Sequence, residues 1–596
     1  MPSRHAHHRW TAFIFKLKTL GLCLRRTTEN ARHRVTRHQP QTRLCNAPIS
    51  AKHRSFLWHV DDPAEMKLAA GKVENLRRAL PHFDGIEVKA GEVFSFWKQL
   101  GRTSRWRGFV RGRELREGCL ISNRGGGLCQ LSNALYDLAL QANLEILERH
   151  AHTRVIAGSL AEKGRDATVF WNYIDLRFRA SHDWRLEASL SKDHLILRLR
   201  SKTQKPENPA PKENFTSETP ADSLGNCLTC QHTTCFRSQA TSSRYTGQQA
   251  FFLDRYWPEF DTWCAENRAE NTALVCVPSI SLKRPQYAWT QIQPNHQALF
   301  TTLFHTYKMR SAPAQGAHLQ KALLARDHGL AKAYARHLRP DIQHLVISQN
   351  LLPHLAELGV LGGRTYDVLM VRWPLFLLQK QLDDSAQKHP KSETLRDFRA
   401  PNELVELEKS VLAEANQLVT PHRALANALH QDFSSPKTII LDWHQENSGL
   451  HKSREKNLPL RLFFPASALA RKGIYELADA LRSLSPQLKI HVQILGRARE
   501  NDPELLNGID WKASATSEMA HADLVILPAW IENSPRLLLK ALALGIPVIA
   551  TRHCGLAPQK NLTLLEDPAD LKSALAAWIS ENQNSSPSAK MRSGKR

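Results

Sequence analysis

Acidic side chains are in short supply: 57 Asp and Glu stand against 81 Lys and Arg, a formal net charge of +24 over 596 residues. That balance excludes an acidic, self-solvating chain and suits anionic partners such as phosphorylated substrates, anionic lipid or nucleic acid. The surplus is uneven, because residues 1–56 hold twelve Lys or Arg and a single acid, Glu29. Cysteine is sparse too, ten in the whole chain, which argues against a secreted disulfide scaffold. Long apolar runs are missing. Residues 10–24, WTAFIFKLKTLGLCL, are interrupted by Lys16 and Lys18 and too short to span a bilayer. No export segment is evident, so the expected location is a reducing cytoplasm, peripheral at the inner membrane face if residues 1–56 touch lipid. There is no tandem repeat, helix-turn-helix or finger pattern. No specific nucleic-acid partner is expected, and any such affinity would be nonspecific and salt-dependent.

What is present is a 42% apolar composition, enough for several cores, and room for roughly three or four domains. At 100° per residue, Trp10, Phe13, Ile14, Leu17, Leu20 and Leu24 share one face, with Phe15 and Leu22 off it. Two readings stay open: a basic amphipathic helix on anionic membrane, or a helix packed on its own protein. Residues 1–56 read as a basic N-terminal arm and 57–202 as a compact α+β block. Residues 203–225 are a Pro, Ser, Thr and Glu-rich linker, and 226–269 a cysteine-containing connector. From 270 onward, apolar runs of strand length alternate with amphipathic helical stretches. That pattern predicts parallel sheets covered on both faces. The runs fall into two sets, 270–435 and 436–580, so two doubly wound α/β domains facing each other are expected, followed by a polar tail, 581–596.

Within the first block, "RGGGLCQLSNALYDLALQANLEILERHAHT" delivers one cysteine behind three glycines at the start of a helical pattern and ends on two histidines. A thiol at a helix N-terminus is stabilised as thiolate by the unsatisfied N–H groups and the dipole. His150 and His152, two apart, fall on the same side of an extended segment. Either can serve as base for Cys129, and Asp166 or Asp175 can orient it. The competing reading is a small buried cysteine at a tight turn, and sequence alone favours it.

Three stretches of this block, "GEVFSFWKQLGRTSRWRGFVRGRELREG", the glycine–cysteine segment above and "GRDATVFWNYIDLRFR", resemble in order the VanW family, which occurs in some bacterial vancomycin-resistance clusters. The likeness covers about residues 60–200 and implies no particular reaction. Its pattern adds weight to Gly126, Gly127, Gln130, Ser132, Tyr136, Glu148, Arg149 and Thr168 beside the residues already named.

Cys227 and Cys230 have C-x2-C spacing, and Cys235 follows within reach of a third ligand position. A structural zinc site there is one expectation; an iron–sulfur centre and no metal at all are the others.

Farther on, "HADLVILPAWIENSPRLLLKALALGIPVIATRHCGL" reads as a buried strand, a loop bearing Glu532, and a helix starting near Pro535. Ligands of open α/β sheets sit at the carboxyl ends of strands, and helix N-termini attract phosphate. Glu532 can then accept from sugar hydroxyls while Asn533 and Ser534 offer backbone N–H groups to a diphosphate. Arg471 and Lys472, after another strand, can neutralise the leaving nucleotide. His354 and His422 also follow strands, each as a cleft residue or an ordinary buried histidine.

The C-terminal half resembles GT-B glycosyltransferases, family 4 in particular, clearly over 455–580 and more weakly over 270–435. The likeness implies two Rossmann-like domains in GT-B arrangement and a nucleotide-sugar donor, with no cofactor required for transfer. It also implies a Glu-x7-Glu pair, whose second position is Lys540 here, and an Arg that aligns with Ser467. The family's glycines after the first Glu are replaced by Asn533 and Pro535. The expected protein is therefore a VanW-like domain fused to a retaining glycosyltransferase acting on a cell-envelope glycan or lipid carrier. The alternatives are a Cys129-dependent hydrolase or amidase, and a non-catalytic sugar-nucleotide binder.

Overall fold

The computed structural model describes residues 9–58, 63–116, 119–152, 164–202, 225–226, 247–279, 288–310, 317–397, 399–445, 459–484 and 489–584. Cys227, Cys230 and Cys235 lie outside them. The chain divides into two compact units. One is Met1–Gln249 with Leu338–His344 and Gly359–Thr365, and the other comprises the remaining residues from Ala250 to Arg596.

The first unit is α+β. Helix α1 (Arg9–Arg32) precedes β1 (Ile49–Phe56), α2 (Pro63–Ala79), β2 (Glu87–Val88), β3 (Val93–Ser95), α3 (Phe96–Leu100), β4 (Arg111–Arg116) and β5 (Cys119–Arg124). After these come α4 (Cys129–Gln141), β6 (Glu145–Glu148), β7 (Arg177–Arg179), β8 (Trp184–Leu190), β9 (His194–Ser201) and β10 (Gly225–Asn226). Three sheets result, ordered β1-β9-β8-β2, β3-β7-β6 and β10-β5-β4. Alternating burial along β8 and β9 leaves one face dry, and α4 packs on β1 and β9. Stacked Phe94 and Phe178, with ring centroids 4.6 Å apart, and the neighbouring Trp184 fill the core.

Of the basic N-terminal segment, the described residues 9–56 are part of this unit, because β1 pairs antiparallel with β9 from Phe56↔His194 to Ile49↔Arg200. Helix α1 rests on the same unit by one side, where Arg26 meets Glu148 at 2.6 Å and the Cys23 thiol donates to the Trp171 carbonyl. The segment 166–176, rich in β-formers, is mostly irregular, because Asp175 turns inward to accept from Ser95 Oγ at 2.6 Å and from the Trp97 N–H at 3.1 Å.

Two doubly wound sheets make up most of the second unit, although the strands that begin at Gln248, Ile342 and Thr365 take their first residues from segments assigned to the first unit. The first runs β11 (Gln248–Phe252), α5 (Pro258–Glu266), β12 (Thr272–Val277), β13 (His296–Gln297), α6 (Leu299–Arg310), α7 (Ala317–Ala335) and β14 (Ile342–Ser348). It continues through α8 (Leu352–Glu357), β15 (Thr365–Leu369), α9 (Leu375–Lys388), α10 (Asn402–Ala413), β16 (Gln417–Thr420), α11 (Arg423–Asp432) and β17 (Lys437–Ile440). Its strand order is β13-β12-β11-β14-β15-β16-β17. The domain therefore begins well before 270, since β11 is a central strand, and extends past 435, since β17 pairs parallel with β16. The short "QQAFF" lay hidden in a polar neighbourhood that composition assigned to the connector.

The second sheet takes β18 (Leu460–Phe464), α12 (Ile474–Ser483), β19 (Ile490–Leu495), β20 (Trp511–Ser514), β21 (Leu524–Leu527), α13 (Arg536–Ala543), β22 (Val548–Thr551), β23 (Leu562–Leu565) and α14 (Leu571–Asn584). All of its pairings are parallel, in the order β20-β19-β18-β21-β22-β23. Read as 3-2-1-4-5-6, this order puts its switch point between β18 and β21, and the loops leaving those two strands are where a ligand belongs.

Candidate functional site

Strand ends converge on a cavity of about 420 Å³ in the second unit. From the first sheet come Arg255 after β11, Asn350 after β14 and Arg372 after β15; from the second come Arg471 and Lys472 after β18, and Asn533 and Ser534 after β21. The two loops of the second sheet are locked by main chain. The Arg471 carbonyl accepts from the N–H groups of both Trp530 and Ile531 at 3.1 Å. Gly473 has φ +82°, and a Cβ there would lie 2.0 Å from the Pro528 carbonyl oxygen, so only glycine permits the approach.

That crossing fixes Lys472 against Glu532. The ammonium sits 2.8 Å from Glu532 Oε2 and 2.9 Å from the Ile531 carbonyl. Glu532 Oε1 accepts the Ser534 N–H at 2.8 Å. Burial pushes the Glu532 carboxyl up, but Lys472 and the N–H groups of Ser534 and Asn533 outweigh it and hold it below the usual range. Lys472 lines the cavity; Glu532 lies behind it, both oxygens engaged. Asn533 Oδ1 accepts the Trp373 N–H at 3.3 Å. Ser467 sits against Gly496, and Lys540 is exposed on α13.

On the opposite wall Arg372 reaches Glu408 at 2.7 Å and Asn350 at 2.9 Å. Asp327, buried on α7 and 2.8 Å from Arg326, also lines the cavity, and burial raises its carboxyl to about 6. Sequence reading missed Asp327, Asn350 and Arg372. Asn350 and Arg372 follow strand ends, which is a usable signal, whereas a helical Asp such as Asp327 carries none. His354 lines the cavity, with Nδ1 2.9 Å from Glu357. Together with His328 it makes the group of possible cation donors found among the described residues, all within 4.8 Å of one another. His422 is structural. Its Nδ1 accepts the Leu425 N–H, so Nε2 carries the proton and donates to the carbonyls of Glu532 and His553 at 3.0 and 3.1 Å.

A second constellation stands in the first unit. The loop Gly125–Gly127 approaches the β4–β5 hairpin so closely that a Cβ on Gly126 would lie 2.4 Å from the Gly112 oxygen. Buried Asn75 ties the two together through Val110 and the Gly126 carbonyl. Cys129 then opens α4, behind a Leu128 cap that makes no side-chain bond. The segment 166–168 is pinned to the first turns of α4, because Ser132 Oγ donates to the Ala167 carbonyl at 2.6 Å and Asn133 accepts the Ala167 N–H at 2.8 Å. The Thr168 N–H donates to the His150 carbonyl at 2.7 Å, which draws in residues 149–152.

His152 is thereby placed 2.6 Å, through Nδ1, from Asp166 Oδ2, and the same imidazole lowers the half-buried Cys129 thiol below its ordinary value. Thr168 Oγ1 lies 3.9 Å from the sulfur. Arg149 holds Asp166 through its other oxygen at 2.8 Å and lies over the Tyr136 ring. The structure thus brings Cys129, His152 and Asp166 together and leaves His150 out, exposed beside Glu148. Asp175, the other potential orienter, is occupied within the core. Gly127, at φ +96°, packs on Lys72, and Gln130 donates to Phe56 O at 2.8 Å and to Ser55.

Comparisons with known proteins agree with this division. The family model described as "VanW like protein" matches residues 71–200, and "Glycosyl transferases group 1" matches 460–581. The vancomycin B-type resistance protein VanW of Enterococcus faecalis is 33% identical over 125 residues, 20% of this chain and 44% of that one. Uncharacterized protein YoaR of Bacillus subtilis is 33% identical over 109 residues, covering 18% and 35%. The chain thus spans less than half the length of either curated relative. Among solved structures, sucrose-phosphate synthase from Thermosynechococcus elongatus is similar with TM-score 0.37 and 12% identity, over 57% of this chain and 91% of its own. Anabaena Alr3699/HepE in complex with UDP-glucose gives 0.34 and 14%, over 56% and 90%. No described helix is long and apolar enough to cross a membrane. The chain carries a VanW-like domain at residues 71–200 and a group 1 glycosyltransferase domain at residues 460–581.

Proposed function

We propose that this protein transfers a glycosyl group from a nucleotide-sugar donor to a cell-envelope glycan or lipid-linked acceptor, with retention at the anomeric carbon, at the cytoplasmic face of the membrane. The observation that carries the reading is the Lys472–Glu532 pair, fixed by main chain at the switch point of the second sheet, with Lys472 on the cavity. Lys472 and Arg471 supply positive charge for a diphosphate leaving group, and Glu532, once Lys472 turns to phosphate, is free to accept from the donor's sugar hydroxyls. The retaining course follows the family 4 likeness.

The test is a panel of UDP-, GDP- and dTDP-sugars with the full chain. One of them at 100 times its Kd should stabilise the protein by about 2.7 kcal/mol, and Glu532→Gln should abolish turnover while leaving the nucleoside diphosphate bound. Failure of every donor to bind the wild type refutes the reading. Binding without turnover makes the domain a sugar-nucleotide sensor instead.

Membrane contact through residues 1–56 belongs to the same proposal. Trp10, Phe13, Ile14, Leu17, Leu20 and Leu24 are all exposed on α1, in a stretch that also carries Lys16 and Lys18. Full-length protein should sediment with vesicles containing phosphatidylglycerol and less so after Leu17→Glu plus Leu20→Glu. Equal sedimentation of both proteins would rule this contact out.

A further inference from the structure

We infer that the VanW-like domain holds a second active centre, a Cys129–His152–Asp166 thiol centre that transfers acyl groups from a carboxylic ester or amide. The inference is independent of glycosyl transfer. It rests on four observations. Cys129 occupies the first position of a 13-residue helix, where the helix dipole favours an anionic sulfur. The His152 ring engages Asp166 through Nδ1 at 2.6 Å, and it is the imidazole that lowers the Cys129 thiol. The orienting carboxylate is itself fixed by Arg149 at 2.8 Å and by the His152 N–H at 2.7 Å. Cys129 and His152 both keep part of their surface open, while Asp166 is buried. A nucleophile, a base and an orienter in sequence, with only the third inaccessible, is the arrangement that covalent acyl transfer requires.

The alternative of an inert structural cysteine fits less well. Buried Cys264 and Cys276 in the second unit are driven above their ordinary value by burial, and no histidine acts against it. At Cys129 burial acts the same way, but the bond and charge of His152, the Val169 N–H and Thr168 overcome it, and the thiol falls below its usual value. Burial would lower His152, yet Asp166 and Cys129 carry it up to about 10. Both shifts favour the charged pair, thiolate and imidazolium, over the neutral one. His152 engages Asp166 through Nδ1, which leaves Nε2 as the nitrogen to carry the mobile proton.

The steps balance. The Cys129 thiolate adds to the acyl carbonyl, forming a C–S bond and a tetrahedral oxyanion. Collapse breaks the C–O or C–N bond, and the leaving alcohol or amine takes the Nε2 proton from His152. Water, or an acceptor amine, then gives a proton to Nε2 while its oxygen or nitrogen bonds the carbonyl carbon. The C–S bond breaks, and thiolate and imidazolium are restored. No oxidant, metal or cofactor enters.

The test treats the full-length chain with iodoacetamide between pH 4 and 9 and locates the adducts by peptide mass. Cys129 should alkylate at pH 6 at least tenfold faster than any of the other nine cysteines. Its rate profile should move toward that of an ordinary thiol in Asp166→Asn and in His152→Gln. With p-nitrophenyl acetate, a burst of about one equivalent should leave acetyl on Cys129. His152→Gln should then trap that acetyl group by slowing its hydrolysis. Cys129→Ser, nearly isosteric, should retain the thermal midpoint and lose the burst, which separates chemistry from folding. Two results overturn the inference: Cys129 titrating like its fellow cysteines, or acetylation that is no faster there than elsewhere.

Discussion

Replacing Lys472 with methionine is expected to lower glycosyl transfer by roughly 10²–10³-fold and to destabilise the second unit by about 3 kcal/mol. Both effects come from one ion pair. Lys472 and Glu532 lie 2.8 Å apart with side chains only 18% and 14% exposed, so removal of the ammonium strands a carboxylate whose remaining partners are backbone N–H groups. The double variant Lys472→Met plus Glu532→Gln separates the two effects. With neither charge present the penalty largely disappears, and denaturation midpoints should return to within about 1 kcal/mol of wild type. Transfer should not return, because the diphosphate still lacks its cation. A double variant with restored activity, or a single variant without loss of either property, contradicts the assignment.

The second large effect is expected in the other unit. Gly126→Ala should destabilise it by about 3 kcal/mol and displace Cys129 from His152. Each of Gly112 and Gly126 would drive an added Cβ into the other's carbonyl oxygen, at 2.5 and 2.4 Å, and backbone held by Asn75 cannot yield as a side-chain tip can. Gly91→Ala is the control. That residue has φ +78° but open space around its Cβ position, so it should lose only about 1 kcal/mol of left-handed strain. Thermal unfolding compares the stabilities, and alkylation of Cys129 at pH 6 reports the site. Equal losses for the two variants would mean that the glycine crossing does not position the thiol.

The likeness of the two domains to their families was legible because it resides in local pattern. Strands such as LVIL, all four residues of which are buried, announce a sheet covered on both faces wherever they occur. Edge and short strands were not legible. Trp511–Ser514 and Gln248–Phe252 owe their conformation to neighbours across the sheet, and nothing in WKAS or QQAFF distinguishes them from loop. The same limit applies to the sites. Lys472 and Glu532 sit just beyond strands and could be named from that rule, as could Cys129 at a helix start.

The sequence by itself determined the types of the long, strongly patterned elements, the order of the domains and the positions where strand-end and helix-start chemistry is available. These follow from side-chain periodicity and backbone preference, which act over a few residues. Which histidine serves Cys129 was decided only in three dimensions. Spacing puts His150 and His152 on one side, but the Thr168 N–H bonds the His150 carbonyl and turns residues 149–152 so that His152 alone meets Asp166. Asp327 reached the cavity in the same way, carried there by the packing of a helix whose pattern says nothing of catalysis. A hydrogen bond between residues dozens of positions apart depends on where the intervening chain closes, and no local preference encodes that closure.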